Sequence, residues 1–200
     1  MSRSASRNTL KPWREVAIPR RDILDERFSQ SEFAADLTAV ELCRSAPEYS
    51  DPSAFFAVTF LTEGMRKVLL SAAERLAGSG GEPVITLRTD FGGGKTHTML
   101  ALRHLAATTE PSGLAPLADI LPEARVHTWH PAGVFTFVGT GLGSRQCLSR
   151  DNEPPLFTPW GLMAWRLAGQ SGLDLMAEAE ATRSPPGSER LATFLDRVTP

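Results

Sequence analysis

Residues 83–100 read PVITLRTDFGGGKTHTML, and this stretch decides the predicted fold. PVITLR is rich in β-branched and apolar residues, which predicts a short strand. The end of the stretch continues into THTMLALRHLAATT, which predicts a helix that Pro111 stops. Three consecutive glycines lie between them, so the local pattern is strand, glycine loop, helix.

This glycine loop has the composition of a phosphate-binding loop (P-loop). Consecutive glycines let backbone N–H groups converge on a polyphosphate, and the helix that follows adds free N–H groups and the positive end of its dipole. Lys95 is placed to reach the β- and γ-phosphates, and the Thr96 hydroxyl is the predicted ligand of Mg²⁺. The predicted nucleotide-binding residues are Gly92, Gly93, Gly94, Lys95, Thr96 and His97. The alternative is a glycine-rich turn without a ligand.

The loop departs from the usual P-loop pattern at two positions. Thr89 stands where that pattern has its first glycine, and a threonine there predicts an extended exit from the strand. Asp90 places a carboxylate beside the predicted phosphates. We expect it to cap loop N–H groups in an Asx-turn, with pairing to Arg88 or magnesium as the alternative. A neutral His97 packed near the nucleotide is favoured over a catalytic one.

The segments before the loop predict mainly helices. The chain up to residue 20 reads as disordered and then as extended around LKPWREVAIP. Ser29 and Glu32 form a capping box, which Phe28 and Phe33 flank as a hydrophobic staple. A longer helix is predicted from Asp51 as N-cap and Pro52 as first helical residue. Its apolar stripe consists of Ala54, Val58, Leu61, Met65, Val68 and Ala72.

The segments after the loop predict a connection, a strand and more helices. Residues 111–133 are rich in proline and are predicted to loop over the surface. VFTFVGTG is the second predicted strand; the GTGLGS that overlaps its end is read as a turn rather than a second anion site. Thr158 and Pro159 open a helix, and the spacing from Leu191 to Val198 predicts another. His127 and His130 have no third ligand in view for zinc.

This alternation predicts an α/β fold, in which a P-loop NTPase-type parallel sheet, incomplete here, follows an added N-terminal helical segment. The predicted divisions are a basic, partly disordered arm over 1–20, a helical segment over 21–82 and a nucleotide-binding core over 83–200.

Composition excludes several other classes of protein. The 200 residues are 42% hydrophobic with a net charge of -2, which is an ordinary globular composition. The N-terminal arm is basic, but a solvated terminus is commoner than a nucleic-acid contact. Cys43 and Cys147 have no metal-ligand spacing, and no apolar run is long enough to cross a bilayer. A cytoplasmic protein without membrane contact is the prediction.

One part of an ATP-hydrolysing site is missing from the sequence. Hydrolysis by a P-loop enzyme needs an acid at the end of a second apolar strand. PLADIL is too broken for such a strand, GLDLMAE reads as helix, and VFTFVGTG ends without an acid. We therefore expect the acid-bearing strand to lie beyond residue 200.

Several blocks occur in an order that resembles one protein family. They are KPWREV, EFAADL, EYSDPSAFFAVTFLTEGMRKVLL, TDFGGGKTHTMLALRHL, VGTGLG, TPWGLMAWRLAG and AEATRSPPGSERL. The chain resembles the N-terminal part of large predicted P-loop ATPases, formerly a domain of unknown function, encoded in bacterial phage-defence clusters beside DNA methyltransferases and helicases. The likeness runs from about Lys11 to the end of the chain.

The resemblance implies AAA+-like binding of ATP with Mg²⁺ on the glycine loop, and ATPase activity of the full-length protein. Partners that it implies are DNA or DNA-modifying defence proteins and further copies in an oligomer. The family usually has Asn at the position of Asp90, which bears on the affinity for phosphate. Two alternatives stay open at this point: a non-hydrolysing, nucleotide-regulated interaction module, and a small-molecule kinase.

Overall fold

The computed structural model describes residues 11–19, 21–25, 35–90, 92–139, 147–149 and 152–198. By its contacts the chain forms two compact units, Met1–Ala34 and Ala35–Pro200. The predicted capping box at Ser29 and Glu32, with its staple, lies outside the described residues, as does most of GTGLGS. The predicted domain limits at residues 20 and 82 stay predictions.

The first unit contains two single-turn helices in its described part, α1 (Trp13–Val16) and α2 (Arg21–Leu24). Pro12 precedes α1 as its N-cap residue, and the Ala17 N–H donates to the Trp13 carbonyl at 2.8 Å. The predicted extended conformation is therefore wrong for α1. Proline is tolerated at the start of a helix, where its missing N–H would have had no intrahelical partner.

The described part of the second unit is built from helices α3 to α10 with one 3₁₀ turn between α7 and α8. Their bounds, in chain order, are Leu37–Glu41, Pro47–Ser50, Pro52–Val58, Glu63–Leu76, Lys95–Ala107, Ala115–Glu123, Pro159–Thr182 and Ser188–Val198, and the 3₁₀ turn covers Pro111–Gly113.

The predicted parallel α/β sheet of P-loop NTPase type is wrong. Of the described residues, 58% are helical and none lies in a strand. Residues 84–90 and 134–139 have no regular structure, and within the described chain neither segment donates a ladder hydrogen bond to the other. A β-rich sequence becomes a strand only when a neighbour takes its N–H and C=O groups. Val84 accordingly keeps 78% of its surface exposed.

The long helix predicted from Asp51 begins as expected but is two helices. The Asp51 carboxylate accepts from the Ala54 N–H at 2.7 Å, and Pro52 is the first helical residue, so the predicted start is confirmed. The chain is then extended at Thr59, and the Thr62 hydroxyl caps α6 by accepting from the Met65 N–H at 3.2 Å. Thr59 thus ends α5 and Thr62 begins α6. The apolar stripe continues across this break, so the stripe did not predict it.

Residues 111–133 are not the surface loop that their prolines predict. They contain α8, whose side chains Leu117, Ile120 and Leu121 are buried. Two prolines lie within this helix without breaking it, because the first lies in the opening turn and Pro122 lies in the last turn.

The helices of the second unit enclose two clusters of buried side chains. The larger joins α3 to α8, and its fully buried members include Phe55, Leu69, Leu100 and Ile120. The smaller joins α9 and α10 through Ala164, Met176 and Phe194. The glycine loop precedes α7, a helix that contributes to the larger cluster.

The predicted helix at Thr158–Pro159 is confirmed, but α9 folds back on itself. The Thr158 hydroxyl accepts from the Gly161 N–H at 3.0 Å, while Glu180 accepts from the backbone N–H groups of Phe157 at 2.5 Å and Thr158 at 3.2 Å. Twenty-two residues of straight helix would separate these groups by about 33 Å. Gly169, at φ 59° and ψ -143°, makes the break. The predicted helix over Leu191–Val198 is confirmed as part of α10.

Candidate phosphate-binding loop

The glycines of the loop have the conformations that its composition predicts. Gly92 has φ 82° and Gly94 has φ 74°, both in the left-handed region that favours glycine. Gly93 lies so close to Thr89 that a Cβ atom at Gly93 would overlap the threonine hydroxyl. The Gly93 N–H donates to the Asp90 carbonyl at 3.1 Å, which closes the turn. All three glycines are exposed, so their backbone is open to a ligand.

Lys95 is held against the beginning of the same loop. Its ammonium donates to the carbonyls of Thr89 at 2.8 Å and Asp90 at 3.0 Å, and to the Thr89 hydroxyl at 3.1 Å. These acceptors are neutral, and no carboxylate pairs with Lys95 among the described residues. Within the described chain, the positive charge therefore lies at the loop without a carboxylate that neutralises it.

The loop ends at the open N-terminal end of α7. Gly94 is the N-cap residue and supplies no side-chain cap. The first described intrahelical bond runs from the Thr98 N–H to the Gly94 carbonyl at 2.9 Å. The N–H groups of Thr96 and His97 have no acceptor within the described chain, as the first turn of a helix requires. They add two donors and the helix dipole to the loop.

Two threonines in this turn have different roles. The buried Thr98 hydroxyl donates back to the Gly94 carbonyl at 3.0 Å and so stabilises the first turn. Thr96 is half-buried, and its hydroxyl makes no hydrogen bond with a described residue. Thr96 thus keeps the free oxygen that the predicted Mg²⁺ ligand needs.

His97 faces the helical body beside the loop. Its Nε2 lies 3.0 Å from the Thr59 hydroxyl, and its ring packs against Phe55 with centroids 4.7 Å apart and against the edge of Tyr49. The Thr59 hydroxyl donates its single proton to the Phe55 carbonyl at 2.6 Å, so the His97 Nε2–H is the donor in the bond to Thr59. Burial lowers the pKa of His97, which favours the neutral ring.

Asp90 acts through its backbone rather than its carboxylate. Its carbonyl accepts from Gly93 and Lys95, whereas its carboxylate has no hydrogen bond or ion pair with a described residue, Arg88 included. Neither the Asx-turn nor the pairing with Arg88 is present within the described chain. The Asp90 side chain is exposed.

Thr59 is the residue of this region that sequence reasoning missed. It lies 38 positions before His97 in a stretch predicted to be helical, so no spacing rule relates the two. The local signal is a β-branched hydroxyl side chain three residues before Thr62, the N-cap residue of α6, which is a common pattern.

Other candidate sites have less support in the geometry. Among the described residues, no group of three or more His, Cys, Asp or Glu side chains could hold a metal ion. His127 and His130 are both exposed. The described part of the chain also has no helix that is both long and apolar enough to cross a membrane.

The comparisons with known proteins give a family. The chain belongs to the family of the DUF499 N-terminal domain, which matches residues 12–115 and so covers the glycine loop and α7. No curated protein and no solved structure matches the chain.

Proposed function

We propose that this member of the DUF499 N-terminal domain family binds the phosphates of a nucleoside triphosphate, ATP with Mg²⁺, on the loop of residues 89–97. The observation that carries the proposal is the placement of Lys95. Its ammonium is held by neutral oxygens of the loop, beside three exposed glycines and at the open end of a helix.

The charges and donors of the loop match a polyphosphate. The loop region offers backbone N–H groups, the positive end of the α7 dipole and one lysine without a carboxylate partner in the described chain. A triphosphate offers acceptor oxygens and several negative charges to this combination. Thr96 supplies the hydroxyl for Mg²⁺ in the proposed site, as Gly-Lys-Thr loops do. The proposal depends on the loop and on α7, and it does not require a sheet.

The wider role follows from the resemblance of the sequence blocks. We propose an ATPase of bacterial phage defence, which works in the cytoplasm as an oligomer and acts on or beside DNA. We assign no residue of this chain to the hydrolysis of ATP. ATP binding without hydrolysis by the 200-residue chain therefore agrees with the proposed function.

Calorimetric titration with ATP and Mg²⁺ tests the proposed binding site. Lys95→Ala removes the charged donor, so we expect it to weaken ATP binding by about ten- to a hundred-fold, the range for hydrogen bonds to charged groups. Lys67→Ala is the matched control, because Lys67 is an exposed lysine on α6 that pairs with Glu63 of the same helix.

Equal affinity of the parent chain and Lys95→Ala for ATP would overturn the proposed site. Phosphate release followed in the same samples shows whether the 200-residue chain itself hydrolyses the ATP that it binds.

A further inference from the structure

Thr59 connects the end of α5 to the first turn of α7. Its hydroxyl donates to the Phe55 carbonyl at 2.6 Å and accepts from the His97 Nε2–H at 3.0 Å. Thr59 is the C-cap residue of α5, and the last carbonyls of a helix have no intrahelical partner, so its side chain satisfies one of them. One hydroxyl group therefore joins two helices whose contacting residues are 38 positions apart in the sequence.

Aromatic packing fixes the imidazole that donates to Thr59. The fully buried Phe55 ring packs on the His97 ring with centroids 4.7 Å apart, and the edge of Tyr49 meets the same imidazole at 6.0 Å. Phe55 also packs on His104 at 4.9 Å, so α5 contacts α7 at two positions that are about two turns apart. The side chain of His97 is thus held by the helices beside the loop.

The main chain of His97 belongs to the ligand-facing end of α7. Its N–H is one of the free donors of the first helical turn. Gly94 gives this helix end no side-chain cap, and the Thr98 hydroxyl bonds back to the Gly94 carbonyl at 3.0 Å. Helix ends without such restraints fray. The bond between Thr59 and His97 therefore restrains a residue whose N–H is open to a ligand.

We propose that Thr59 is a positioning residue for phosphate binding, which acts through the imidazole of His97. This inference rests on the proposed function, because it needs phosphates on the loop of residues 89–97. By holding the side chain of His97, Thr59 keeps the first turn of α7 in one arrangement before the triphosphate binds. The triphosphate then does not have to order this turn, so less of the binding free energy is lost to ordering.

Removal of one hydroxyl group tests this role. Thr59→Val keeps the size and branching of the side chain, and we expect it to weaken binding of ATP with Mg²⁺ by about two- to ten-fold, the equivalent of one neutral hydrogen bond. Thr59→Ser restores the hydroxyl and should restore most of the parental affinity. Calorimetric titration of the 200-residue chain measures each dissociation constant, well below the melting temperature of the least stable variant.

Thr193→Val is the matched control for the loss of a threonine hydroxyl. The Thr193 hydroxyl donates at 3.0 Å to the carbonyl of Glu189, four residues earlier, as the Thr59 hydroxyl does to that of Phe55. Thr193 lies on α10, which packs on α9. Thr193→Val should therefore bind ATP with the parental affinity.

A double-mutant cycle shows whether Thr59 acts through His97. His97→Phe keeps an aromatic ring against Phe55 and removes the N–H that donates to Thr59. Alone, it should weaken ATP binding about as much as Thr59→Val does. The double variant should bind ATP no more weakly than either single variant, because both substitutions remove the same interaction. In the parent chain, the Nε2 proton of His97 should give a proton resonance that Thr59→Val loses, since the hydrogen bond slows its exchange with water.

The outcomes separate this inference from the proposed function. Parental affinity for ATP in Thr59→Val or in His97→Phe, in a chain whose ATP binding depends on Lys95, would overturn the inference and leave the proposed function standing. A double variant weakened by the product of the two single effects would also overturn it, since the two residues would then act independently. ATP binding that Lys95→Ala leaves intact would overturn both.

Discussion

At the residue scale, the position of one missing Cβ atom decides whether the glycine loop can close. The backbone of Gly93 lies against the side chain of Thr89, and Lys95 bonds to that same threonine. A side chain at Gly93 would push Thr89 away and release the ammonium from its acceptors. The triple glycine is therefore needed for two reasons, positive φ at its ends and close approach at its centre.

Gly93→Ala should consequently disturb the loop and its ligand together. We expect a loss of stability of about 1–3 kcal/mol, as for overpacking, with weaker ATP binding. Gly113→Ala is the control, because nothing lies within 4 Å of a Cβ atom at that glycine. Urea unfolding and ATP titration of both variants measure the difference. Parental stability and affinity in Gly93→Ala would contradict the close approach of Thr89.

A buried histidine makes stability depend on pH. His104 is 2% exposed, and its Nε2 lies 2.9 Å from the Tyr49 carbonyl. Burial lowers the pKa of His104 more than the hydrogen bond to Tyr49 and the charge of Asp51 raise it, and nearby Arg103 lowers it further. As the pH falls, His104 is therefore protonated in the unfolded chain before it is protonated in the folded chain.

The free energy of unfolding should therefore fall as the pH drops through the ordinary histidine pKa of 6.5. His97, whose pKa burial also lowers, adds to the same trend. His104→Gln keeps a donor for Tyr49 but does not titrate, so it should reduce the loss of stability between about pH 7.5 and about pH 5.5. His130→Gln, in an exposed position, is the control. If His104→Gln lost as much stability as the parent over this pH range, His104 would not be the origin of the pH dependence.

Sequence reasoning at this scale predicted the local geometry of the glycine loop better than the contacts that surround it. Lys95, Thr96 and the glycines are local in sequence, so their spacing predicts their arrangement. The contact of His97 with Thr59 brings together residues from separate helical regions, and only the packing of α5 against α7 creates it.

At the element scale, capping residues predicted where α5 and α9 begin, and apolar periodicity did not predict where α5 ends. Asp51 and Thr158 are N-caps as predicted, because a side-chain oxygen followed by proline is a local signal. The break between α5 and α6 was not predicted, because the apolar spacing continues across it. The prolines of residues 111–133 argued against a helix, but only two of them lie in α8, in its first and last turns, where a helix tolerates them.

The break in α9 depends on one glycine. Gly169 has φ 59° and ψ -143°, a conformation that is almost closed to other residues. It lets the second half of α9 return, so that Glu180 caps the N–H groups of Phe157 and Thr158.

Gly169→Ala should destabilise the chain by about 1–3 kcal/mol, the cost of such a backbone conformation for a residue with a Cβ atom. Gly64→Ala is a matched control inside α6, where nothing lies within 4 Å of the added Cβ atom. Because alanine favours helix over glycine, Gly64→Ala should be neutral or slightly stabilising. Thermal unfolding of both variants distinguishes them. A Gly169→Ala variant as stable as the parent would show that the break does not need glycine.

At the scale of the whole molecule, the predicted sheet failed although the loop beside it has the expected form. The loop needs only the residues between positions 89 and 97, whereas a sheet needs two extended segments in register. Residues 84–90 and 134–139 have β-rich sequences but no ladder between them in the described chain. Local propensity cannot supply that pairing, which is a property of the tertiary structure. The helices instead form the two buried clusters that support α7 and α9.

The central claim is that the N–H groups of the loop and of the first turn of α7 bind a triphosphate. The most direct measurement follows backbone amide resonances of the 200-residue chain during titration with ATP and Mg²⁺. We predict that the largest shifts fall on residues 92–97, that they saturate, and that Lys95→Ala abolishes them at the same ATP concentrations. Saturating shifts on another surface, or none on residues 92–97 in the folded parent chain, would contradict the account.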